Sequence, residues 1–285
     1  MRLFSPAKLN LSLDVLSKLK DGYHEIETLF ERIDLGDTIH LKLSSGNILL
    51  KTTGERVVSD HTNLAYRAAQ LLKDTFRVRK SVAILIRKRI PVSAGLGGGS
   101  SNAATVLLGL NRLWKLGLSQ EKLMTLAATL GSDVPFFILE TPFAIGRGRG
   151  EILKKISVSG PKLWHVLVKP PFGISTQEVY QGLKGPFLTF HKTDVKMLVH
   201  SIQKGDIKRL SEHLNNSLEL SQYKRVMTIL KLKDDLRASG ALGALMSGSG
   251  STVFGIFSSR PRAMRAARNL RKINRSWKVF VAATY

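Results

Sequence analysis

Four glycines, at positions 95, 97, 98 and 99, constrain the fold of this chain more than any other feature. They lie in the run PVSAGLGGGSSNAA, between SVAILIRKRI, which is typical of a buried strand, and a run of helix-forming residues. Because glycine has no Cβ, neighbouring backbone N–H groups can converge, and the following helix adds its positive dipole end. The run therefore predicts a cradle for a di- or triphosphate, with a helix that begins near Ser100 or Ser101.

Two well-known phosphate loops do not fit this run. The chain has no Gly-Lys dipeptide, which excludes the P-loop, and the spacing around Gly95 does not give GxGxxG. A nucleotide site here therefore requires a third design. The competing interpretation of the glycines is a flexible surface turn.

Strand patterns dominate the beginning of the chain. Alternating apolar residues predict strands over residues 3–15 and 37–43, and Asp21 and Gly22 predict a turn between the first two strand-like runs. Each of these strands is expected to bury one face.

Helical spacing follows two capping residues in the first half. One helix is predicted after Thr62 or Asn63, and another from a Ser119 cap to Gly131. Pro135 is tolerable only near the start of the next element.

The second half has a different order of elements. Two or three amphipathic helices are predicted over residues 194–237, preceded by a possible capping box of Ser175 and Glu178. The end predicts a strand, a turn, a strand, a basic helix over residues 262–273 and a last strand. We expect two domains, with their boundary shortly after Gly150.

The charge balance favours an anionic ligand. The chain carries 44 Lys and Arg against 21 Asp and Glu, a formal net charge of +23 that attracts nucleotides, phosphates, nucleic acid and membranes alike. Because no aromatic signature of RNA binding accompanies these charges, we expect no specific nucleic acid as a partner. The absence of cysteine excludes disulfides, thiolate zinc sites and a cysteine nucleophile.

No segment has the pattern of a signal peptide or a membrane span. Lys8 and Asp14 interrupt the apolar stretch at the start, and no run of about 18 apolar residues occurs. We therefore expect a cytoplasmic protein without a membrane partner, as a monomer or a homodimer.

The glycine run resembles the central motif of the GHMP kinases, which lies over ATP. Two further runs resemble motifs of this family in the same order, PAKLNLSL near the start and GALMSGSGSTVFGIF near the end. The resemblance implies an α+β fold of two domains with the active site in the cleft between them. The amino-terminal α/β domain would span residues 1–155, and the carboxyl-terminal ferredoxin-like domain residues 156–285.

The resemblance also implies an ATP site. The residues that it assigns to ATP are Asn63, Lys88, Pro91, Val92, Ser93, Ala94, Gly95, Leu96, Gly97, Gly98, Gly99, Ser100 and Ser101. Asn63 and Lys88 would border the adenine or the ribose, and Ser100 and Ser101 the phosphates; helix capping and solvation are the competing explanations for all four. The loop departs from the family pattern over residues 92–94, where more glycine is expected. Mg²⁺ is expected with ATP, held chiefly by phosphate oxygens and water, and no residue is assigned as a metal ligand.

The segments SPAKLNLSLDVLSKLKDGYHEIETLF and GSDVPFF resemble one branch of the family. That resemblance implies transfer of the ATP γ-phosphoryl group to the 2-hydroxyl of a cytidine diphosphate-linked methylerythritol, in the non-mevalonate route to isoprenoid precursors. The alternatives are a GHMP kinase acting on another small alcohol (mevalonate, homoserine or a sugar), a basic nucleic-acid-binding protein, and an inactive scaffold.

Lys8 and Asp133 are the catalytic pair that the resemblance implies. Asp133 would act as general base, while Lys8 would hold it ionised and orient the hydroxyl. The competing explanations are a helix N-cap for Asp133 and an exposed lysine on an edge strand for Lys8.

Five further residues are assigned to the substrate by the resemblance. Tyr23 would stack on the cytosine and His24 would bond its edge, with a hydrophobic strand position as the alternative for Tyr23. Tyr180 would close the other face of the base, with Thr176 nearby, while helix packing explains Tyr180 equally well. Asn10, two residues after Lys8 on the same strand face, would bond the substrate.

The third motif supplies two more glycines with interleaved serines. Gly248 and Gly250 are able to press the backbone close to a ligand and to the phosphate loop. A tight hairpin between Leu245 and Val253 would need similar residues.

Overall fold

The computed structural model describes residues 1–55, 57–158, 160–183, 193–221 and 225–285, which form two compact units. The first unit consists of residues 1–7, 36–92 and 97–141, and the second of residues 8–35, 93–96 and 142–285. The boundary expected after residue 155 falls inside the second unit, and the division into domains 1–155 and 156–285 stays a prediction.

The elements follow the expected order. The strands are β1 (Arg2–Lys18), β2 (His24–Ser44), β3 (Leu49–Gly54), β4 (Ser81–Lys88), β5 (Phe143–Arg147), β6 (Ile152–Ile156), β7 (Trp164–Lys169), β8 (Asn215–Asn216), β9 (Gly243–Met246), β10 (Val253–Phe257) and β11 (Lys278–Ala283). The helices are α1 (Leu64–Thr75), α2 (Gly98–Leu113), α3 (Gln120–Leu130), α4 (Val134–Ile138), α5 (Thr176–Gln181), α6 (Val195–Lys204), α7 (Ile207–Glu212), α8 (Val226–Ala238) and α9 (Arg260–Ile273), with a 3-10 helix at Ser217–Leu220. The order of β9, β10, α9 and β11 confirms the prediction for the end of the chain.

In the first unit, β4 pairs antiparallel with the last part of β2 and parallel with β3. The strands alternate buried apolar positions, such as Ile39 opposite Ile86, as a period of two predicts. Helix α2 lies so close to the strands that a Cβ at Gly109 would come within 2.5 Å of the side chains of Leu3 and Leu41. Glycine at this position therefore lets the helix pack directly on the sheet.

In the second unit, β1 lies between β2 and β8, and β5 joins β2 to β6. A separate antiparallel sheet has the order β11, β7, β10 and β9. Leu236 of α8 and Leu270 of α9 share one buried core with Val166 and Val168 of β7. Each fully buried side chain of this size contributes about 1.5–3 kcal/mol, which explains why the amphipathic helices fold onto this sheet.

Most helix caps lie where the sequence predicts them. Asn63 caps α1, and the Ser119 side chain accepts from the N–H of Lys122 at the start of α3, which ends at the Gly131 C-cap. The helix after the glycine loop starts earlier than predicted, at Gly98 and not near Ser100 or Ser101. The reason is Gly97, which adopts φ 66°, a left-handed conformation that costs glycine little and lets the chain enter the helix there.

A buried carboxylate holds the chain just before the glycine loop. Asp37 is fully buried, and its Oδ1 accepts from the backbone N–H of Arg89 at 2.7 Å and of Ile90 at 2.9 Å. Its Oδ2 accepts from the ammonium of Lys88 and from Nδ2 of Asn102 at 2.9 Å. Since Asn102 belongs to α2, one carboxylate ties the end of β4 to the first turns of that helix.

No helix in the described parts of the chain combines the length and the apolar character needed to cross a bilayer.

Removing the Asp37 charge should destabilise the first unit strongly. In Asp37→Asn, the buried Lys88 ammonium loses its counterion, and breaking a buried pair from one side typically costs about 3–5 kcal/mol. Urea denaturation followed by circular dichroism measures the free energy of unfolding. The control is Asp234→Asn, which breaks a surface pair with Arg237 at 3.3 Å and should cost less than about 1 kcal/mol. Similar unfolding free energies for the two variants would contradict this role of Asp37.

Candidate active site

Lys8 and Asn10 lie on one face of β1, which is an inner strand of the second unit. The ammonium Nζ of Lys8 donates to Oδ1 of Asn10 at 2.5 Å, and Nδ2 of Asn10 donates to Oγ1 of Thr28 at 2.8 Å. Only 4% of Lys8 is exposed, and its ammonium lies 5.3 Å from the centroid of the Phe30 ring. The alternative of an exposed lysine on an edge strand is therefore wrong, and the amide of Asn10 fixes the direction of the charge.

The first half of the glycine loop contacts the third motif. Gly95 has φ 72°, and a Cβ there would lie 2.0 Å from the carbonyl oxygen of Ser247, so only glycine fits. In return, Oγ of Ser247 donates to the carbonyl of Gly95 at 3.0 Å. The N–H of Thr252 donates to the carbonyl of Ala94 at 3.3 Å. These contacts join two segments that lie about 150 residues apart in the sequence, since Gly95 and Ser247 are separated by 152 positions.

The same loop also contacts Lys8. The backbone N–H of Lys8 donates to the carbonyl of Leu96 at 3.0 Å. Gly248 has φ 55°, and a Cβ there would lie 3.2 Å from Oδ1 of Asn10 and 3.4 Å from Nζ of Lys8. The three segments that resemble family motifs therefore meet at Lys8 within the second unit: the glycine loop at its backbone N–H and the third motif at its ammonium.

The third motif is both a hairpin and a contact surface. Strands β9 and β10 pair antiparallel on either side of it, which confirms the hairpin alternative. Asn216 also fixes the start of this turn, because its Nδ2 donates to the carbonyls of Met246 and Gly248, both at 2.8 Å. Sequence reasoning missed Asn216, for which no local pattern gave a signal.

The second half of the loop belongs to the first unit and forms the start of α2. A Cβ at Gly98 would lie 3.0 Å from the Ile90 side chain and 3.3 Å from Nζ of Lys88. The first N–H groups of a helix have no partner within it, so this end can receive an anion. Lys88 adds positive charge there, but its ammonium is already paired with Asp37, and its side chain is only 5% exposed. Solvation is thus wrong as the explanation of Lys88.

The two serines that follow the loop glycines, Ser100 and Ser101, differ in burial. Ser101 is fully buried, and its hydroxyl shares a hydrogen bond of 2.8 Å with Ser5. Ser100 is half-buried, one residue nearer the loop. The Ser101 side chain therefore has a packing role, and of the two hydroxyls Ser100 remains the candidate for the phosphates.

Residues 91–93 begin the loop without the glycines that the family pattern leads one to expect. Pro91 is buried, Val92 is 41% exposed, and Ser93 adopts φ 50°, which is uncommon for a residue with a Cβ. Ser93 packs against Gly173, where an added Cβ would come 2.9 Å from Cβ of Ser93. Glycine at position 173 therefore makes room for the Ser93 side chain.

Asn63 has the structural role that competed with ligand binding. Its Oδ1 accepts from the N–H of Ala65 at 2.9 Å, and its Nδ2 donates to the carbonyl of Val58 at 2.8 Å. The capping explanation is confirmed, and a position beside the adenine or ribose stays a prediction.

Asp133 lies in the first unit, directly before α4. It occupies the N-cap position, but its side chain makes no capping hydrogen bond, so the capping explanation is wrong. Pro135 stands at the start of that short helix, as predicted. Lys8 belongs to the second unit, and the meeting of the two residues stays a prediction.

The residues assigned to cytosine lie in the second unit. Tyr23 is 58% exposed in the turn before β2, so the strand position is wrong as its explanation. The His24 ring stacks on Tyr180, with centroids 5.1 Å apart and planes at 29°. Tyr180 also packs against the buried core, which confirms the packing alternative and leaves its contact with cytosine a prediction.

Burial, aided by the positive charge of Lys18, lowers the pKa of His24 below its usual value. The ring is therefore neutral at pH 7, with one nitrogen as donor and the other as acceptor. Such a ring suits the edge of a nucleobase, which also mixes donors and acceptors.

Thr176 lies beside the third motif. Its Oγ1 shares a hydrogen bond of 2.8 Å with Oγ of Ser249, and α5 starts at Thr176 after the Ser175 cap. The Ser175 half of the predicted capping box is confirmed, since Oγ of Ser175 accepts from the N–H of Glu178 at 3.4 Å. Thr176 thus connects the segment that bears Tyr180 to the third motif.

Within the described ranges, no group of three or more His, Asp or Glu side chains is placed to hold a metal ion.

Family models and known proteins match this chain along most of its length. The GHMP kinases N terminal domain matches residues 63–141, and the GHMP kinases C terminal domain matches residues 198–275. A 4-diphosphocytidyl-2-C-methyl-D-erythritol kinase from Shouchella clausii is 45% identical over 268 residues, which cover 94% of this chain and 89% of that protein.

Solved structures agree with these matches. The crystal structure of a 4-(cytidine 5'-diphospho)-2C-methyl-D-erythritol kinase is 36% identical, with a TM-score of 0.85 over 99% of this chain and 98% of that one. A homoserine kinase from Cytophaga hutchinsonii has a TM-score of 0.76, covers 100% of this chain and 94% of that one, and is only 19% identical, so it shows the fold alone. The predicted two-domain α+β fold of the GHMP kinases is confirmed.

The contact at Gly95 gives a prediction for stability. Gly95→Ala must adopt a left-handed backbone and also displace Ser247. The matched control is Gly46→Ala, where φ is 77° but nothing lies within 4 Å of the added Cβ. The control should lose about 1–2 kcal/mol for the backbone alone, and Gly95→Ala about 1–3 kcal/mol more. Chemical denaturation measures both; equal losses would show that the contact is not required.

Proposed function

This chain belongs to the GHMP kinases and, within them, to the 4-diphosphocytidyl-2-C-methyl-D-erythritol kinases, and we propose that it transfers the γ-phosphoryl group of ATP to the 2-hydroxyl of 4-diphosphocytidyl-2-C-methyl-D-erythritol. The product is a precursor in the non-mevalonate route to isoprenoids. The observation that carries the proposal is the convergence of the three motifs on Lys8.

ATP would lie with its phosphates on the glycine loop. The backbone N–H groups at the start of α2 donate to the phosphates, and the helix dipole adds to their attraction. Pro91, Val92, Ser93, Ala94 and Leu96 shape the loop, while Ser100 offers its hydroxyl. Asn63 and Lys88 are both engaged in structural bonds. We place them at the border of the adenine or the ribose.

The phosphoryl transfer needs a base and a cation at the acceptor. The hydroxyl proton passes to the carboxylate of Asp133 as the hydroxyl oxygen bonds to the γ-phosphorus, and the bond from that phosphorus to the bridging oxygen of ADP breaks. Lys8 keeps Asp133 ionised and stabilises negative charge on the reacting oxygens. Asn10 orients Lys8 through its Oδ1 and borders the acceptor end of the substrate.

The cytidine end of the substrate would bind around the turn before β2. The exposed ring of Tyr23 stacks on the base, and the neutral His24 bonds its edge. Tyr180 supports His24 and borders the base, and Thr176 lies between this region and the third motif.

ATP enters with Mg²⁺, which would be held by phosphate oxygens and water and would offset phosphate charge. No side chain is assigned as its ligand. The expectations of a cytoplasmic location, of a monomer or homodimer and of no specific nucleic acid partner remain predictions.

A panel of acceptors tests the substrate directly. The purified protein is incubated with ATP, Mg²⁺ and, in separate reactions, the cytidine diphosphate-linked methylerythritol, mevalonate, homoserine and galactose, and ADP release is followed. We expect turnover with the cytidine compound alone. Faster turnover with another alcohol would replace this substrate by that one, and RNA binding without ATP turnover would favour the nucleic-acid alternative.

Asp133→Asn should abolish catalysis without removing either ligand. The amide has nearly the same shape but cannot accept the hydroxyl proton, so kcat should fall at least about 100-fold while KM for both substrates changes little. Lys8→Ala should act similarly. Steady-state kinetics and calorimetric titration of each ligand separate turnover from binding. Near-normal turnover in Asp133→Asn would refute its role as the base.

Tyr23→Ala should weaken only one of the two substrates. Stacking on a base contributes about 1–3 kcal/mol, so KM for the cytidine compound should rise roughly 5- to 150-fold while KM for ATP stays within a factor of about two. Equal weakening of both substrates would contradict the assignment of Tyr23 to cytosine.

A further inference from the structure

An arginine from a different hairpin covers one face of the Tyr23 ring. The guanidinium carbon of Arg149 lies 4.2 Å from the centroid of that ring, and the same guanidinium forms an ion pair with Asp21. Asp21 in turn accepts a hydrogen bond of 3.0 Å at Oδ1 from the backbone N–H of Tyr23. Three residues thus form a closed set in which each contacts the other two.

The turn that carries Arg149 is itself fixed to β2. It joins β5 to β6, and Gly148 adopts φ 69° within it. The carbonyl of Gly148 accepts from the N–H of Ile26 at 2.7 Å, and the N–H of Arg149 donates to Oε2 of Glu151 at 2.7 Å. The turn that bears Arg149 is therefore hydrogen-bonded to β2 at Ile26, two residues after His24.

Stability alone does not account for this arrangement. The side chains of Arg149 and Asp21 are 42% and 44% exposed, and exposed ion pairs contribute little to folding. Tyr23 itself is 58% exposed, so its ring is not held by burial in a core. A guanidinium stacked on one face limits its rotation and leaves the opposite face for another planar group.

We propose that Arg149 is a positioning residue for the substrate base, which holds the Tyr23 ring in the orientation that stacks on cytosine. This inference rests on the proposed function, because it needs Tyr23 to bind the base. Arg149 acts through Tyr23 and not on the phosphoryl transfer. Substitution of Arg149 should therefore change the affinity for the cytidine compound and leave the affinity for ATP unchanged.

The test is a double-mutant cycle in the full chain, with steady-state kinetics for both substrates. Arg149→Ala should raise KM for the cytidine compound about threefold to tenfold, with kcat and KM for ATP within about twofold. Arg149→Lys keeps the charge but not the planar group, so it should restore only part of the loss. In a Tyr23→Ala background, Arg149→Ala should have no further effect.

A matched control separates stacking from the loss of charge. Lys154 is exposed on β6 in the same hairpin, and Lys154→Ala removes one positive charge without touching the ring set. It should leave both KM values unchanged, whereas an equal rise in KM for the cytidine compound would mean that long-range charge explains Arg149.

Other outcomes also overturn the inference. A full effect of Arg149→Ala in the Tyr23→Ala background, an equal rise of both KM values, or complete rescue by Arg149→Lys would each contradict positioning through stacking. If Tyr23→Ala weakens the cytidine compound selectively but Arg149→Ala does not, only this inference fails. If Tyr23→Ala has no selective effect, the assignment of the base site fails with it.

Discussion

The close approach of Gly95 to the carbonyl of Ser247 is the contact on which the site depends. No side chain fits at Gly95, because the glycine loop and the third motif are in direct backbone contact there. The same loop accepts a hydrogen bond from the backbone N–H of Lys8. Gly248 then lies against the Lys8 ammonium. Glycine is required at these positions because of the distance between two backbones, and not because of flexibility.

Two buried lysines near the loop serve different purposes. Lys88 is neutralised by Asp37, a carboxylate that also binds two backbone N–H groups, so its charge is used to fix the chain before the loop. The Lys8 ammonium donates to the amide oxygen of Asn10, which fixes its orientation. Lys8 also lies against Gly248 of the third motif, and we therefore assign Lys8, and not Lys88, to the oxygen that gains negative charge during transfer.

Sequence reasoning succeeded where the signal is local. The Ser119 cap, the turn at Asp21 and Gly22 and the final strand and helix order each follow from neighbouring residues, and the family motifs added the three segments that meet at Lys8. It failed where a distant partner decides: Asp37 and Asn216 carry no motif, yet they hold the loop and the third turn. The contact of Arg149 with Tyr23 joins residues more than one hundred positions apart, which no period or spacing encodes.

The most direct test of the account is a crystal structure of the protein with a non-hydrolysable ATP analogue and 4-diphosphocytidyl-2-C-methyl-D-erythritol bound together. The account predicts the analogue's phosphates on the N–H groups of the glycine loop. It also predicts the 2-hydroxyl within hydrogen-bonding distance of both the Lys8 ammonium and the Asp133 carboxylate. A loop without phosphate, or a hydroxyl bound far from either side chain, would contradict it.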